Sequence, residues 1–222
     1  MTPTSPTWTR ARLERVMALR FGTTPTGHLD TKAVAAEMGV TPRTVQRWLH
    51  AAHGRSIAHI PPRRLARLLE LLTPGEDVLV DEDKKARYAA RAIADLGLGR
   101  EMGVNPAWKK QRWLEQHLVV VLEIKVGRHK IRQLAVSRAE VAKTSELKKR
   151  GAIVDQAVVP TKFHATILTH QVLADVRPWR FRAQPGQVLQ GHTQSWLADA
   201  PDTNLTATFH ALTHPQPAIA DE

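Results

Sequence analysis

Residues 31–50 read TKAVAAEMGVTPRTVQRWLH and predict two short helices joined by a tight turn. Asp30 or Thr31 suits the N-cap of the first helix, because a short polar side chain can accept hydrogen bonds from its free N–H groups. Gly39 ends this helix, since glycine takes a positive φ without steric cost. The residues expected to face the core recur every three to four positions and include one that fills the turn: Val34, Ala35, Met38 and Val40.

The second helix is predicted to begin after Thr41, a good N-cap, with Pro42 at its first position. One face of this helix is apolar and consists of Val45, Trp48 and Leu49. The remaining positions are polar or basic: Arg43, Thr44, Gln46, Arg47 and His50. Such a division predicts one face packed on a core and another open to solvent or a partner.

This stretch resembles the helix-turn-helix of bacterial and phage repressors, activators and recombinase DNA-binding domains. The resemblance implies that the second helix, taken as residues 41–53, enters the major groove of double-stranded DNA. It also implies base contacts from Arg43, Gln46 and Arg47, with Thr41 and Thr44 nearer the phosphates and His50 on the same polar face. The alternative is an ordinary helical hairpin with a solvated basic face.

The composition favours a polyanionic partner. The 222 residues include 32 Lys plus Arg and 21 Asp plus Glu, which gives a net charge of +11. A basic protein that merely repels itself is the alternative. The chain has no cysteine, which excludes disulfides, thiolate catalysis and cysteine-ligated zinc. With no apolar run of membrane-spanning length and no apolar leader at the start, we expect a cytoplasmic protein with no membrane partner.

Part of the first motif recurs later in the chain. EMGVTP at residues 37–42 returns as EMGVNP at 101–106, and QRWL at 46–49 returns at 111–114. The offset grows from 64 to 65 residues, so the later copy carries one extra residue. The repeat predicts a second helix-turn-helix whose second helix covers residues 105–117; the alternative is a helical hairpin that shares only the turn. The candidate DNA contacts are Asn105, Trp108, Lys109, Lys110 and Arg112.

A predicted β-hairpin follows this second copy. Residues 118–125 and 130–136 are rich in β-forming side chains and are joined by residues 126–129. A helix-turn-helix followed by a hairpin resembles a winged helix, which implies that the basic tip contacts phosphates or a minor groove. The tip residues are Lys125, Arg128, His129, Lys130 and Arg132. An edge hairpin made soluble by its charges is the alternative.

The predicted fold class is mainly α with a smaller α+β part. The predicted ranges are a flexible arm at 1–8, a helix-turn-helix domain at 9–60 supported by a helix from Thr9, a second helix-turn-helix with a hairpin wing at 61–137, an α+β domain at 138–200, and a disordered tail at 201–222. Residues 76–83 are expected to contain a short strand around Val78–Val80, and residues 187–196 another. The leucine stripe of residues 63–72 predicts a core or a dimerisation helix.

No catalytic constellation is apparent. His129 and Arg132 have the spacing found in tyrosine recombinases, but the single tyrosine, Tyr88, precedes them, whereas the nucleophile of that family follows. No close histidine set and no phosphate-binding Gly-x-x-x-x-Gly-Lys motif occurs. We therefore expect a non-enzymatic protein without a metal or cofactor.

The expected function is sequence-specific binding of double-stranded DNA by a repressor-like transcription regulator of phage, plasmid or chromosomal origin. Two different helix-turn-helix motifs on one chain predict an asymmetric DNA site of about 20 base pairs. A non-catalytic accessory or architectural protein, such as an excision or directionality factor or a replication or partition adaptor, is the alternative. The expected partners are accordingly DNA and either a second copy of the chain or a recombination or replication enzyme.

Overall fold

The computed structural model describes residues 7–50, 52, 54–97, 104–184 and 193–214. These residues form a mixed α+β structure, 53% helical and 18% strand, with one five-stranded antiparallel sheet. The predicted combination of helices with an α+β part is confirmed at this level.

The described elements run in the order α1 (Arg10–Phe21), α2 (Thr31–Met38), α3 (Pro42–Trp48), α4 (Pro62–Leu72), α5 (Glu76–Gly97), α6 (Pro106–Lys110), β1 (His117–Val126), β2 (His129–Arg138), α7 (Val141–Arg150), β3 (Ala152–Val159), α8 (Lys162–Asp175), a 3-10 turn (Arg177–Trp179), β4 (Arg180–Phe181), β5 (Ser195–Leu197) and α9 (Leu205–Thr213). The strand order in the sheet is β3-β1-β2-β5-β4.

The chain divides into two units that interleave along the sequence. The N-terminal unit comprises Met1–Leu79, Lys125–Ile131 and Pro178–Ala200, and the α+β unit comprises Val80–Ile124, Arg132–Arg177 and Pro201–Glu222. The predicted domain ranges, which are contiguous, stay predictions.

Helix α1 supports the N-terminal unit, as the sequence predicts. The Thr9 hydroxyl accepts a hydrogen bond from the Arg12 backbone N–H at 3.2 Å and so caps the helix. Leu13 and Met17 are fully buried. The Arg12 guanidinium lies over the Trp8 ring at 4.6 Å, so the end of the predicted flexible arm has a defined contact, and residues 1–6 lie outside the described part.

Helix α4 contributes to the core of the same unit. Leu68 and Leu72 are fully buried. The carbonyls at its C-terminal end accept hydrogen bonds from Arg20 Nε at 3.2 Å (Leu71) and from the Arg182 N–H at 2.8 Å (Leu72). These contacts favour core packing over the predicted dimerisation role.

The strand expected around residues 78–80 is wrong, because these residues lie in helix α5. Glu76 and Asp77 occupy the first turn of that helix. Carboxylates at this position interact favourably with the positive end of the helix dipole. Glu76 and Asp77 therefore favour the start of a helix at this point.

The strands of the α+β unit pack against helix α7. Strand β3 pairs antiparallel with β1, with Leu118 opposite Val158, and a register shift follows Val121. Leu147 of α7 joins a buried cluster with β-strand side chains, namely Leu118, Val120, Leu122 and Ala135. Residues 138–200, predicted as an α+β region, do contain both helices and strands, among them α7, β3 and α8.

The tail predicted to be disordered contains helix α9, so this prediction is wrong for residues 205–213. Asn204 caps the helix by accepting a hydrogen bond from the Ala207 N–H at 2.9 Å. The Asp155 carboxylate accepts a second hydrogen bond, from the Leu205 N–H at 2.9 Å. Leu205 is fully buried. Of the strand predicted at 187–196, Ser195 and Trp196 lie in β5, whereas residues 187–192, like 215–222 of the tail, lie outside the described part.

None of the helices in the described part of the chain combines the length and the apolar character needed to cross a membrane.

Candidate nucleic-acid interface

The pair of helices predicted from residues 31–50 is present, with the expected capping. Asp30 Oδ1 accepts hydrogen bonds from the backbone N–H groups of Lys32 at 3.0 Å and Ala33 at 3.2 Å, at the start of α2. Gly39 ends α2 in the left-handed region, with φ 60 and ψ 42. The Val40 N–H returns to the Ala35 carbonyl at 3.0 Å, which satisfies one of the last free acceptors of the helix.

The same turn starts helix α3. The Thr41 hydroxyl accepts a hydrogen bond from the Thr44 N–H at 3.3 Å, and Pro42 occupies the first turn. Val34 and Ala35 of α2 are buried, as predicted, whereas Met38 and Val40 remain partly exposed. The turn is therefore fixed by backbone hydrogen bonds and by caps more than by burial of Val40.

Helix α3 divides sharply into a buried and an exposed face. Val45 is 0% exposed and Trp48 is 4% exposed, so these two side chains anchor the helix. The candidate contacts Thr41, Arg43, Gln46, Arg47 and His50 are all exposed, and Thr44 is half-buried. Within the described part of the chain, the side chains of Arg43, Gln46 and Arg47 form no ion pair or hydrogen bond. This face is available to a ligand.

The C-terminal end of α3 differs from the prediction, which extended the helix to residue 53. The helix ends at Trp48. The last carbonyl of the helix, that of Trp48, lies 3.0 Å from Nε2 of His59. The imidazole thus stands where a backbone N–H of a further helical turn would lie. His50 follows the helix, and its Nδ1 accepts a hydrogen bond from the Ala52 N–H at 3.2 Å. Ala51 and His53 lie outside the described residues.

The second predicted reading helix, residues 105–117, is wrong. Asn105 does cap a helix, accepting a hydrogen bond from the Ala107 N–H at 2.9 Å. That helix, α6, ends after five residues at Lys110. Arg112 then takes a positive φ of 58, which no helical residue has, and β1 begins at His117. The repeated residues Glu101, Met102 and Gly103 lie outside the described part.

Trp108, a predicted DNA contact, is a core residue and is 8% exposed. Its indole N–H donates a hydrogen bond to the Tyr88 hydroxyl at 3.0 Å. Its ring meets the Phe163 ring edge-on, with 4.7 Å between centroids. The buried face of α6 therefore includes a large apolar side chain. Lys109 and Lys110, by contrast, are exposed as predicted.

Arg112 is exposed but engaged by two carboxylates, Glu115 at 2.7 Å and Glu140 at 3.3 Å. The hydrogen bond with Glu115 raises the pKa of Arg112 and lowers the pKa of Glu115. A phosphate would have to compete with these anions for the guanidinium. Arg112 is therefore a weaker candidate than Lys109 or Lys110.

The predicted hairpin exists, with Gly127 at φ 56 in its two-residue turn, but it is not a separate wing. Strands β1 and β2 lie in the middle of the sheet, between β3 and β5, and six consecutive residues of β1 are buried. Pairing on both sides excludes the projecting-wing interpretation and equally the edge-hairpin alternative.

The basic residues at the hairpin tip differ in their surroundings. Lys125, Arg128 and Lys130 are exposed, and His129 is partly buried. Arg128 lies 3.8 Å from Glu14. Arg132 points away from the tip to Asp202, at 2.7 Å, and its side chain is only 13% exposed. Burial lowers the pKa of His129 below its ordinary value.

No protein family, curated protein or solved structure matches this chain.

The described residues contain no cluster of three or more His, Cys, Asp or Glu side chains that could hold a metal ion. The best-defined candidate site is the exposed face of α3, which carries Arg43, Gln46 and Arg47.

The motif-based prediction did not include one set of candidate DNA-contacting residues. Residues 41–67 contain six arginines and no acidic residue, and only Arg43 and Arg47 of the six belong to the motif. The other four are Arg55, Arg63, Arg64 and Arg67, all exposed. The sequence could have indicated these residues, because the acid-free basic stretch continues past the helix-turn-helix motif into α4.

Proposed function

We propose that this chain is a sequence-specific double-stranded DNA-binding protein, a transcription regulator of the repressor type, in which α2, the turn at Gly39 and α3 act as a helix-turn-helix. One observation carries the proposal. Helix α3 is anchored by the buried side chains of Val45 and Trp48, and its other face presents Arg43, Gln46 and Arg47 without a protein partner in the described residues.

The dimensions of α3 suit the major groove. Seven residues at about 1.5 Å each make a helix roughly 10 Å long, and the groove of B-DNA is about 12 Å wide. Arginine can donate two hydrogen bonds to the O6 and N7 atoms of guanine, and glutamine can pair with the N6 and N7 atoms of adenine. The exposed face therefore carries the side chains that distinguish base pairs by their edges.

Contacts to the DNA backbone would position this helix. The Thr41 and Thr44 hydroxyls lie 3.0 Å apart at the start of α3, where they can also donate to phosphate oxygens. The net charge of +11 adds a sequence-independent attraction to the polyanion. Specificity would come from α3 and much of the affinity from charge.

The number of reading helices decides the kind of site. Helix α6 has five residues and a buried Trp108, so α3 is the reading helix proposed for each chain. One such helix recognises about one half-site. A homodimer would present two copies of α3 to half-sites about one helical turn apart, roughly 34 Å. A symmetric site of two half-sites thus replaces the asymmetric DNA site that the repeated motif predicts.

The proposal is tested by selecting bound duplexes from randomised DNA with the full chain and with the variant Arg43→Ala/Gln46→Ala/Arg47→Ala. We expect the wild-type protein to enrich one motif and the variant to enrich none. The matched control is Lys84→Ala/Arg91→Ala, which also removes two positive charges, here from exposed positions of α5. This control should enrich the wild-type motif.

Two other outcomes would be decisive. Binding without any enriched motif would indicate the accessory or architectural function, in which the DNA is held but not read. A motif that survives the triple substitution would show that another part of the chain reads the bases.

A further inference from the structure

The exposed arginines that follow α3 form a second charged group, defined here as the arginine patch: Arg55, Arg63 and Arg64. They belong to the acid-free run of residues 41–67 and lie in the N-terminal unit, as α3 does. None of their side chains forms an ion pair or hydrogen bond among the described residues. Arg67, by contrast, pairs with Glu70 at 3.2 Å and is left out of the patch.

The fold ties this patch to the end of α3. His59 Nε2 lies 3.0 Å from the Trp48 carbonyl, the last of α3. Helix α4 begins three residues later, at Pro62. Since a chain spans at most about 3.6 Å per residue, the first turn of α4 starts within roughly 11 Å of His59. Arg63 and Arg64 lie in that turn.

The other end of the connection is also fixed. The Arg55 carbonyl accepts a hydrogen bond from the Arg10 N–H at 3.0 Å, which holds the loop against the start of α1. Ile60, between the loop and α4, is 1% exposed. The backbone that carries these exposed cationic side chains is therefore anchored at Arg55 and at Ile60.

Charge complementarity defines the ligand. Three guanidinium groups that form no ion pair among the described residues attract an anion, and guanidinium pairs with phosphate through two parallel hydrogen bonds. A surface next to a helix that occupies the major groove would meet the phosphates at the edge of that groove. Base edges, in contrast, would be out of reach of a patch that lies beyond the end of α3.

We infer that the arginine patch binds backbone phosphates of double-stranded DNA independently of sequence, so that affinity and base reading are separate properties of the N-terminal unit. The inference rests on the proposed function for the position of α3 on DNA. It adds a phosphate-binding surface at the loop after α3 and the first turn of α4, which the helix-turn-helix motif does not include.

The experiment measures binding of the full chain to two labelled duplexes, the selected motif and a shuffled sequence of equal length, at salt concentrations from about 50 to 200 mM. Each phosphate contact contributes about 0.9 to the slope of log affinity against log salt. We expect Arg63→Ala/Arg64→Ala to reduce that slope by about 1.8 on both duplexes. Over this salt range the wild-type protein should thus lose about tenfold more affinity than the variant.

Two control variants separate the patch from net charge. Arg63→Lys/Arg64→Lys keeps the charges and should keep the slope. Lys84→Ala/Arg91→Ala lowers the net charge equally from exposed sites of α5 and should leave the slope within experimental error of wild type. Alanine and lysine are both good helix formers at exposed positions, so all three variants should fold.

An unchanged slope in Arg63→Ala/Arg64→Ala would overturn the inference, as would an equal change in the α5 control. The two proposals fail in different ways. If the slope falls as expected but the wild-type protein prefers neither duplex, the patch binds phosphate and the sequence-specific function is wrong. If the preference is present and the slope is unchanged, α3 reads DNA without the patch.

Discussion

Replacing Trp48 with alanine should lower the free energy of unfolding of the N-terminal unit by about 3 to 5 kcal/mol. Trp48 is the last residue of α3 and is 4% exposed, so truncation removes a large apolar surface and leaves a cavity beneath the exposed face of the helix. DNA binding should weaken with it, because α3 would lose one of its two anchors. Urea unfolding followed by circular dichroism measures the change.

The neighbouring exposed residue provides the control for Trp48. Arg47→Ala removes an exposed side chain that forms no ion pair or hydrogen bond among the described residues, so its effect on the free energy of unfolding should stay within about 0.5 kcal/mol. The two variants therefore separate stability from recognition on one helix. A loss of less than about 1 kcal/mol for Trp48→Ala would contradict the packing described for α3.

Trp108→Ala should also cost about 3 to 5 kcal/mol, here in the α+β unit. The indole is buried in a cluster with Ala89, Ala92 and Phe163 and donates a hydrogen bond to Tyr88. Where the variant is still folded, its affinity for DNA should equal that of wild type. Thermal or urea unfolding gives the stability, and fluorescence anisotropy of a labelled duplex gives the affinity.

Variants of neighbouring residues separate the contribution of the Trp108 hydrogen bond to stability from that of the exposed side chains beside it. Tyr88→Phe removes the acceptor of the indole N–H and keeps the ring, so we expect a loss of about 1 kcal/mol. Lys109→Ala/Lys110→Ala changes exposed side chains beside Trp108 and should leave the stability nearly unchanged. A stable Trp108→Ala protein with impaired DNA binding would restore the residue to the DNA interface.

Local signals explain why the α2–α3 pair could be predicted from sequence. Asp30 and Thr41 cap the helices that follow them, and Gly39 ends α2 in the left-handed conformation. Each of these effects involves only neighbouring residues in the sequence. Val45 and Trp48 then fix the orientation of α3 because they share one helical face. Caps, turn and buried face all specify the same geometry, so no distant part of the chain was needed to predict it.

The second copy shows the limit of the same signals. EMGVNP keeps the cap at Asn105, and a helix does begin there. Its length and buried face depend on partners far along the chain, because Trp108 packs against Phe163 and its indole bonds Tyr88. Packing of the indole within this cluster overrode the expectation, drawn from the repeat of the motif, that Trp108 would contact DNA.

Long-range pairing explains the remaining differences. The hairpin strands were recognisable from β-forming residues, but their place in the middle of the sheet depends on β3 and β5, which no local pattern brings to them. Helix α9 likewise depends on Asp155, fifty residues before Leu205, for a hydrogen bond at its first turn. A Thr- and Ala-rich composition gave no indication of that partner.

The central claim is that α3 recognises bases, and a protein–DNA double-mutant cycle on Arg47 tests it most directly. The affinities of wild type and Arg47→Ala are measured on the selected motif and on duplexes with each base pair replaced in turn. We expect Arg47→Ala to cost about 1 to 3 kcal/mol on the motif and to abolish the penalty for replacement at one base pair, leaving the other penalties intact. Base-pair penalties that are identical in the two proteins at every position would contradict base recognition by Arg47.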